Sequence, residues 1–169
     1  LVPPAVELSE WRLRVTGMVE RELTFSYRDL IARDIHEAWI TTVAVTNPVG
    51  GEQIGNAWWS GVLVRELLAE AGVDPRADAV LQIGVDDWKC ITELEALTDD
   101  RNALLAFGMN GVPLPVEHGY PVRTVVPGFY DHTGSCPWIT ELRVTRFVDD
   151  IDSASTPDDY AVRAPVKIG

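Results

Sequence analysis

Apolar and polar residues alternate along several short stretches of this chain, which is the pattern of strands that bury one face. Trp11, Leu13 and Val15 alternate with polar neighbours up to Gly17, so this stretch predicts a strand. Apolar runs, several of them rich in β-branched residues, predict further strands at 38–46, 79–85, 103–109, 122–126 and 139–147.

Helix signals are fewer and cover short segments. Ser26 is placed to cap a helix over 27–33, and Thr92 is placed to cap a helix over 93–97. A third helix is predicted over 62–71, because Gly72 follows it as a C-terminal stop. Strands outnumber helices, which favours an α+β domain with mixed or antiparallel sheets and short helices over a doubly wound parallel sheet.

Two glycine-containing segments interrupt these elements. Asn110-Gly111 is the strongest turn signal in the chain and predicts a tight hairpin. Residues 47–57, N-P-V-G-G-E-Q-I-G-N-A, predict a long loop, and the stretch up to Gly61 is a candidate ligand loop. Its glycines permit close approach of the backbone to a ligand, and Asn47 offers an amide donor and acceptor. An ordinary surface loop accounts for the same composition.

Composition sets limits on partners. The chain has 169 residues, with 26 Asp and Glu against 14 Lys and Arg, and a net charge of −12. This balance argues against binding to nucleic acid or to an anionic membrane surface. No apolar run approaches the roughly 18 residues of a membrane span. We expect one domain over residues 1–148, followed by an acidic segment over 149–169 that leads into a downstream region.

The segment H-G-Y-P-V-R, residues 118–123, is a candidate anion site. His118 and Arg123 flank a Gly and a Pro just before a predicted strand. Such a turn can direct an imidazole and a guanidinium at one anion, and Arg supplies a rigid fork of donors for oxyanions. An exposed turn whose Arg pairs with a nearby carboxylate explains the same residues.

Other reactive side chains give weaker signals. Asp86-Asp87 follows a predicted strand, which makes Asp87 a candidate acid or base, although a solvated turn is the commoner explanation. Cys136 lies near His132 in Y-D-H-T-G-S-C-P-W, residues 130–138, without an evident third group to orient a nucleophile. The three histidines lack the close spacing of a zinc site.

Several segments, in order along the chain, resemble the molybdopterin-binding domain of the sulfite oxidase family, especially its bacterial and often membrane-anchored branch. The similarity runs from about residue 11 to about residue 167. It includes W-R-L-R-V-T-G (11–17), V-T-N-P-V-G-G (45–51), I-G-N-A-W-W-S-G-V (54–62), L-L-A-E-A-G-V (67–73), M-N-G-V-P-L-P-V-E-H-G-Y-P-V-R (109–123), V-V-P-G (125–128) and W-I-T-E-L (138–142).

The resemblance implies mixed sheets around a pyranopterin pocket and molybdenum-molybdopterin as the cofactor. It implies oxygen-atom transfer, with electrons leaving to a haem or another acceptor. By the same resemblance, His118 and Arg123 contact the cofactor and Asn47 belongs to the pocket loop. Tyr160 falls near the position of an active-site Tyr of the family.

Two departures from the family pattern concern the same pocket. The family's molybdenum-ligating Cys falls at Ala44, and a methyl group cannot replace a soft thiolate. The family often has Lys-Trp where this chain has Pro137-Trp138, so a cation near the pterin is missing.

The resemblance therefore implies a molybdopterin-dependent oxidoreductase domain with altered or lost metal ligation, with the cofactor either retained or absent. The alternative is a non-catalytic member that keeps the fold as a small-molecule or protein-binding module. A third interpretation treats Ala44 as an engineered change in an active enzyme. The implied partners are a small oxyanion or an oxide or sulfoxide-type substrate, and a haem protein or membrane redox partner. The full-length protein is expected to be extracytoplasmic or membrane-associated.

The two cysteines, Cys90 and Cys136, fall in segments that the family fold places at the rim of the pocket. We predict that they lie close enough for a disulfide, which an extracytoplasmic compartment would permit. A Cα–Cα separation above roughly 7 Å would exclude the bond.

Overall fold

The computed structural model describes residues 4–44 and 47–153 of the chain, which form two five-stranded sheets with short helices around them. The first sheet has the order β2-β1-β10-β5-β6. Its strands are β1 (Arg12–Gly17), β2 (Leu23–Ser26), β5 (Ala79–Gly84), β6 (Lys89–Glu93) and β10 (Ile139–Thr145).

The second sheet has the order β3-β4-β7-β8, and β9 pairs with β7 beside it. Its strands are β3 (His36–Val43), β4 (Ile54–Leu63), β7 (Leu104–Met109), β8 (Val112–Pro113) and β9 (Arg123–Val125). The helices are α1 (Tyr27–Ile31), α2 (Val64–Ala71), α3 (Leu94–Thr98), α4 (Asp131–Gly134) and α5 (Phe147–Asp150). No helix in this part of the chain has the length and hydropathy that a membrane crossing requires.

Both parallel and antiparallel pairing occur in the first sheet. Strands β1 and β10 run parallel, whereas β10 and β6 each pair antiparallel with β5. The mixed α+β architecture predicted from the sequence is therefore confirmed.

Local signals determine several of the element ends. Ser26 and Asp29 form a reciprocal capping box that begins α1. Gly72 ends α2 in the left-handed conformation that glycine adopts without steric cost. Asn110 and Gly111 both have positive φ, at 53° and 81°, and form the predicted turn between β7 and β8.

Two local predictions were wrong. Thr92 does not cap a helix, because it lies within β6 and α3 begins two residues later without a side-chain cap. The second half of the predicted 47–57 loop is strand, since β4 begins at Ile54 and pairs with β3. Gly61 lies within β4 as well, where a Cβ atom would approach the Leu105 carbonyl oxygen to 2.2 Å. That glycine permits close strand contact rather than ligand binding.

The main core draws on β1, β5, β10 and α2, and it includes the fully buried Leu13, Leu67 and Leu142. Burying a leucine side chain stabilises a fold by about 1.5–3 kcal/mol, so this cluster is the principal support of the first sheet. A smaller cluster lies on the opposite face of β5 and β6, where Phe147 and Ile151 pack against it. This packing holds the start of the acidic C-terminal segment on the domain.

Candidate active site

A cavity of about 320 Å³ lies where the β5–β6 turn, the segment before β9 and the segment before β10 meet. Its volume is within the range of small-molecule sites. Its lining combines carboxylates, one guanidinium, one hydroxyl and aromatic rings: Asp86, Trp88, Glu117, Arg123, Asp131, Ser135, Pro137 and Trp138.

Arg123 begins β9, and its guanidinium is the one cation among the residues that line this cavity. Nη1 donates to the His118 carbonyl oxygen at 3.1 Å, and Nη2 donates to the Ser135 hydroxyl. The same nitrogen lies 3.6 Å from a carboxylate oxygen of Asp131. The guanidinium also lies over the Trp59 ring, 5.3 Å from its centre. Contacts on several sides therefore fix its orientation.

One donor of this guanidinium has no partner. The Nε atom of Arg123 is buried and makes no hydrogen bond. Burial lowers the pKa of Arg123 below its ordinary value, and the nearby charge of Asp131 opposes that shift. A buried cation with an unpaired N–H favours a ligand that brings an acceptor or a negative charge.

Trp138 forms part of the wall in an uncommon backbone conformation. Its φ is +51°, a region that bulky residues rarely adopt. Its indole N–H donates to the Val116 carbonyl oxygen at 2.9 Å, and its backbone N–H donates to the Gly119 oxygen at 3.3 Å. Strained residues of this kind concentrate at functional sites, which supports the choice of this cavity.

The other predicted site residues are placed less directly. The His118 side chain is exposed, and its backbone carbonyl, not its imidazole, contacts Arg123. The Asn47 side-chain oxygen accepts from the Gln53 backbone N–H at 2.9 Å, so it closes its own loop. Asp87 is exposed in the β5–β6 turn, and its neighbour Asp86 lines the cavity. Tyr160 lies outside the described residues.

Ala44 directly follows β3. Its backbone N–H donates to the Gln53 carbonyl oxygen at 3.0 Å. The preceding Val43 forms an isolated parallel bridge with Tyr130, which is next to the Asp131 that approaches Arg123. The residue at 44 is therefore connected to the cavity wall through one backbone bridge.

Cys90 and Cys136 are free, fully buried thiols, so the predicted disulfide is absent from this structure. The Cys90 thiol is near enough to Cys136 to influence its titration. That contact, together with burial, raises the pKa of Cys136 well above its ordinary value. Each sulfur also lies 3.7 Å from a backbone oxygen, Cys90 from Ser135 and Cys136 from Pro137. These contacts satisfy both groups as thiols.

Larger clefts lie elsewhere on the molecule. One of about 460 Å³ lies beside Trp39 and Arg101, and one of about 550 Å³ lies beside Glu93 and Phe147. In the first, Arg101 is already paired with Asp99 at 2.7 Å. Volume alone does not select a site, and among these three clefts the one beside Arg123 contains the unpaired buried donor.

Comparison with known proteins identifies the family. The sequence matches the oxidoreductase molybdopterin binding domain over residues 1–151. The chain belongs to this family. The oxidoreductase molybdopterin binding domain takes its cofactor from the molybdopterin class, and the present chain is a homologue of sulfite oxidase and of nitrate reductase.

The chain is 30% identical to the uncharacterized oxidoreductase YuiH of Bacillus subtilis, covering 86% of this chain and 70% of that protein. It is 31% identical to the sulfite oxidase of Gallus gallus, covering 96% of this chain and 40% of that protein. Among solved structures, the sulfane dehydrogenase SoxCD from Paracoccus pantotrophus matches with a TM-score of 0.78 and 28% identity. That match covers 85% of this chain and 40% of the SoxCD chain. The molybdopterin domain thus spans less than half of two of these three relatives.

The residues of the cavity fit one part of a molybdopterin cofactor and not the other. The N–H groups of a pterin ring need acceptors, which the carboxylates of Asp86 and Glu117 supply, and its phosphate needs a cationic donor, which Arg123 supplies. The metal favours a soft donor, and residue 44 supplies only a methyl group. The described residues also contain no group of three or more His, Cys, Asp or Glu that could hold a metal ion. The cavity lining therefore suits the organic part of the cofactor.

Sequence reasoning identified Arg123 but not all of its partners. Asp131 and Ser135 were noticed only as part of a reactive stretch, and Trp59 was not singled out. The run of small and polar residues after Tyr130 was the available signal, because such a run favours an irregular segment that can fold over an adjacent strand.

Proposed function

We propose that this chain binds a molybdopterin cofactor in the cavity beside Arg123, as the cofactor domain of an oxidoreductase whose metal receives no sulfur ligand from residue 44. The single observation that supports this most is the buried guanidinium of Arg123, which lines the cavity and has one N–H, Nε, without a partner. Leaving a buried donor unpaired costs about 1–3 kcal/mol, and a bound acceptor removes that cost.

Each part of the wall has a task in this proposal. Arg123 binds the anionic or carbonyl edge of the cofactor, and its orientation is held by Ser135 and the His118 carbonyl. Asp86 and Glu117 accept the N–H groups of the pterin ring. When bound, the molybdenum of such a cofactor supplies two-electron chemistry at an oxygen atom.

The aromatic residues exclude water from the pterin. Trp88 is half-buried and Trp138 is buried, and both line the cavity. Trp138 is fixed by its indole bond to Val116, so it offers a rigid apolar surface against which a planar ring can lie.

The substrate is proposed to be a small oxyanion or an oxide or sulfoxide. The names of the relatives refer to sulfite, nitrate and sulfane, which supports a small inorganic or similarly compact substrate. A haem protein or membrane redox partner is proposed as the electron acceptor. The chain itself is strongly acidic, at −12, so that partner is expected to present a basic surface.

The test is cofactor content after production in a host that makes molybdopterin. Pterin released by denaturation is quantified by fluorescence, and molybdenum is quantified by mass spectrometry. The unsubstituted chain should carry pterin with little molybdenum. The pterin content of Arg123→Ala should be at least about tenfold below that of the unsubstituted chain, the effect typical of removing a supporting polar contact.

Arg101→Ala is the matched control, because Arg101 is also an arginine paired with a carboxylate but lines a different cleft. It should retain pterin. Arg123→Lys keeps the charge and loses the Nε–H geometry, so it should fall between the two. Unsubstituted protein that carries no pterin would refute the proposal.

A second candidate is a member of the family that binds a small molecule without redox chemistry. The methyl group at residue 44 is the observation that favours it. Bound pterin without molybdenum, in a chain with no oxidoreductase activity, would support this second candidate over the first.

A further inference from the structure

Gln82 is a fully buried polar side chain in the middle of β5. On the core-facing side of the first sheet it lies between Leu142 on β10 and Cys90 on β6. An amide in such surroundings destabilises a fold unless both of its ends are hydrogen-bonded. The cavity proposed for the cofactor does not include Gln82, so its bonds need a separate explanation.

Both ends of the amide are bonded, each to a different strand. Its nitrogen donates to the Thr92 hydroxyl on β6 at 2.8 Å, and that hydroxyl donates to the Thr133 carbonyl oxygen at 2.5 Å. Its oxygen accepts from the Thr124 hydroxyl on β9, which belongs to the second sheet. The amide therefore joins the two sheets, and its orientation is determined by what each partner can donate or accept.

The Thr124 side of this network leads to the cavity. The Thr124 hydroxyl accepts from the Cys136 backbone N–H at 2.7 Å, and the Thr124 carbonyl oxygen accepts from the Ser135 hydroxyl at 2.7 Å. The Ser135 hydroxyl in turn accepts from Nη2 of Arg123. Every hydroxyl along this path donates one bond and accepts one, so the path has a single consistent direction.

We infer that Gln82 is a positioning residue for the cofactor pocket: through Thr124 and Ser135 it holds the guanidinium of Arg123 in the cavity wall. The inference rests on the proposed function for what the pocket binds, but the positioning itself concerns only this chain. A glutamine suits the position because its side chain is long enough to reach β9 and carries a donor and an acceptor at one end. An apolar residue of similar size would leave Thr92 and Thr124 without these partners.

The experiment compares variants that break the path on either side of Gln82. Gln82→Met removes the amide that bonds the Thr124 hydroxyl. Thr124→Val removes that hydroxyl, which also holds the backbone N–H of Cys136 beside Ser135, and keeps the Thr124 carbonyl. Thr92→Val removes a buried hydroxyl of the same network on the far side, so it is the matched control for a general loss of core stability. Thr124→Ser keeps the hydroxyl and is the conservative rescue.

The first readout is the Nε–H cross-peak of Arg123 in ¹⁵N NMR spectra of the chain without cofactor, assigned by its loss in Arg123→Lys. It should shift and broaden in Gln82→Met and Thr124→Val, and stay in place in Thr92→Val and Thr124→Ser. The second readout is pterin content, which should fall about tenfold in the first two variants only.

The inference is overturned if the Arg123 cross-peak keeps its unsubstituted position in Gln82→Met and Thr124→Val. It is also overturned if Thr92→Val shifts the cross-peak as far as those two variants do. If Gln82→Met does not fold, the comparison of Thr124→Val with Thr124→Ser gives the same decision. Absence of pterin from the unsubstituted chain would count against the proposed function alone, since the cross-peak tests positioning without any cofactor.

Discussion

Two regions of this fold differ in how they are held. The guanidinium of Arg123 is held on several sides, by the His118 carbonyl, the Ser135 hydroxyl and the Trp59 ring. The end of β3 at Ala44 carries a methyl group, and the loop that follows is closed by Asn47 on its own backbone. In the proposed function, binding of the organic cofactor and ligation of its metal belong to separate parts of the chain, and we expect that one can change without the other.

The strongest test of this separation restores a sulfur at the end of β3. Ala44→Cys should raise molybdenum content while leaving pterin content unchanged, because only the second region is altered. Losing one outer-shell partner changes metal affinity about tenfold, so gaining a thiolate ligand should change the molybdenum content by at least that factor. Elemental analysis per mole of pterin measures it.

Ala44→Ser is the control, since it adds a hydroxyl of similar size without a soft donor. It should leave molybdenum low. If Ala44→Cys retains pterin and gains no more molybdenum than Ala44→Ser, then residue 44 does not reach the metal and the comparison between the two regions loses its basis.

A second test changes the cavity wall around Arg123 and leaves residue 44 unchanged. Gly119 has φ of +104°, and a Cβ atom there would meet Cβ of Arg123 and Cα of Pro137 at 3.0 Å. Gly119→Ala should lower the free energy of unfolding by about 1–3 kcal/mol more than Gly111→Ala, because overpacking adds to the backbone strain. Gly111 also has positive φ, at 81°, with nothing within 4 Å of its Cβ position.

Urea denaturation of both variants measures the difference, and pterin content should fall only in Gly119→Ala. Equal destabilisation of the two variants would mean that Pro137 shifts away from the added Cβ atom without cost. That result would contradict a rigid cavity wall.

A substitution at Glu141, outside both regions, gives a change in unfolding free energy with which the other variants can be compared. Glu141 on β10 is buried, and it accepts from Thr16 at 2.6 Å and from Arg143 at 3.2 Å. Burial alone would raise the pKa of Glu141, but these bonds and the charges of Arg143 and Arg14 outweigh it and hold the pKa below 4.5. Glu141→Gln should cost about 2 kcal/mol at neutral pH.

The pH dependence of that cost has a definite sign. The unfolded chain binds a proton at Glu141 near its ordinary pKa of 4.5, whereas the native chain binds it only at lower pH. The advantage of the unsubstituted protein over Glu141→Gln is therefore complete above pH 4.5 and declines as the pH falls through the lowered native pKa. Denaturation curves at several pH values would contradict this if the difference grew in acid.

The smallest expected effect is at the two thiols. Cys90 and Cys136 are fully buried, so neither sulfur is accessible to an alkylating agent, and the raised pKa of Cys136 further lowers its reactivity. Iodoacetamide should add nothing to the native chain and should modify both cysteines after unfolding. Mass spectrometry that finds two hydrogens missing and no alkylation after unfolding would instead indicate a disulfide.

Local chemistry allowed much of the fold to be predicted. The alternation at Trp11–Val15, the Ser26 cap, the Gly72 stop and the Asn110-Gly111 turn all depend on neighbouring residues, and each was confirmed. Strand β4 was missed because its residues were assigned to the 47–61 loop and the 62–71 helix, and β2 and β6 were missed as well. The strand conformation of β2 and β6 depends on pairing with β1 and β5, which no local pattern records.

The same limit applies to the site. Arg123 was identified because Arg in a Gly-Pro turn has a specific chemistry, but the role inferred for Gln82 could not be anticipated from its place in an apolar run. Thr92 was misassigned for the same reason, since its hydroxyl bonds to Gln82 ten residues earlier in the chain. Contacts between distant segments decide these roles.

The parallel pairing of β1 with β10 bears on the order in which this chain folds during synthesis. Strand β10 occupies the centre of the first sheet, and the Trp11 indole N–H donates to the Ile139 oxygen across 128 residues of sequence. A ribosome must therefore release nearly the whole domain before the first strand acquires this neighbour, and until then β1 and β2 form an isolated hairpin of the kind that is marginally stable in water. Nascent chains that stop short of Ile139 should accordingly depend on chaperones far more than the finished chain does.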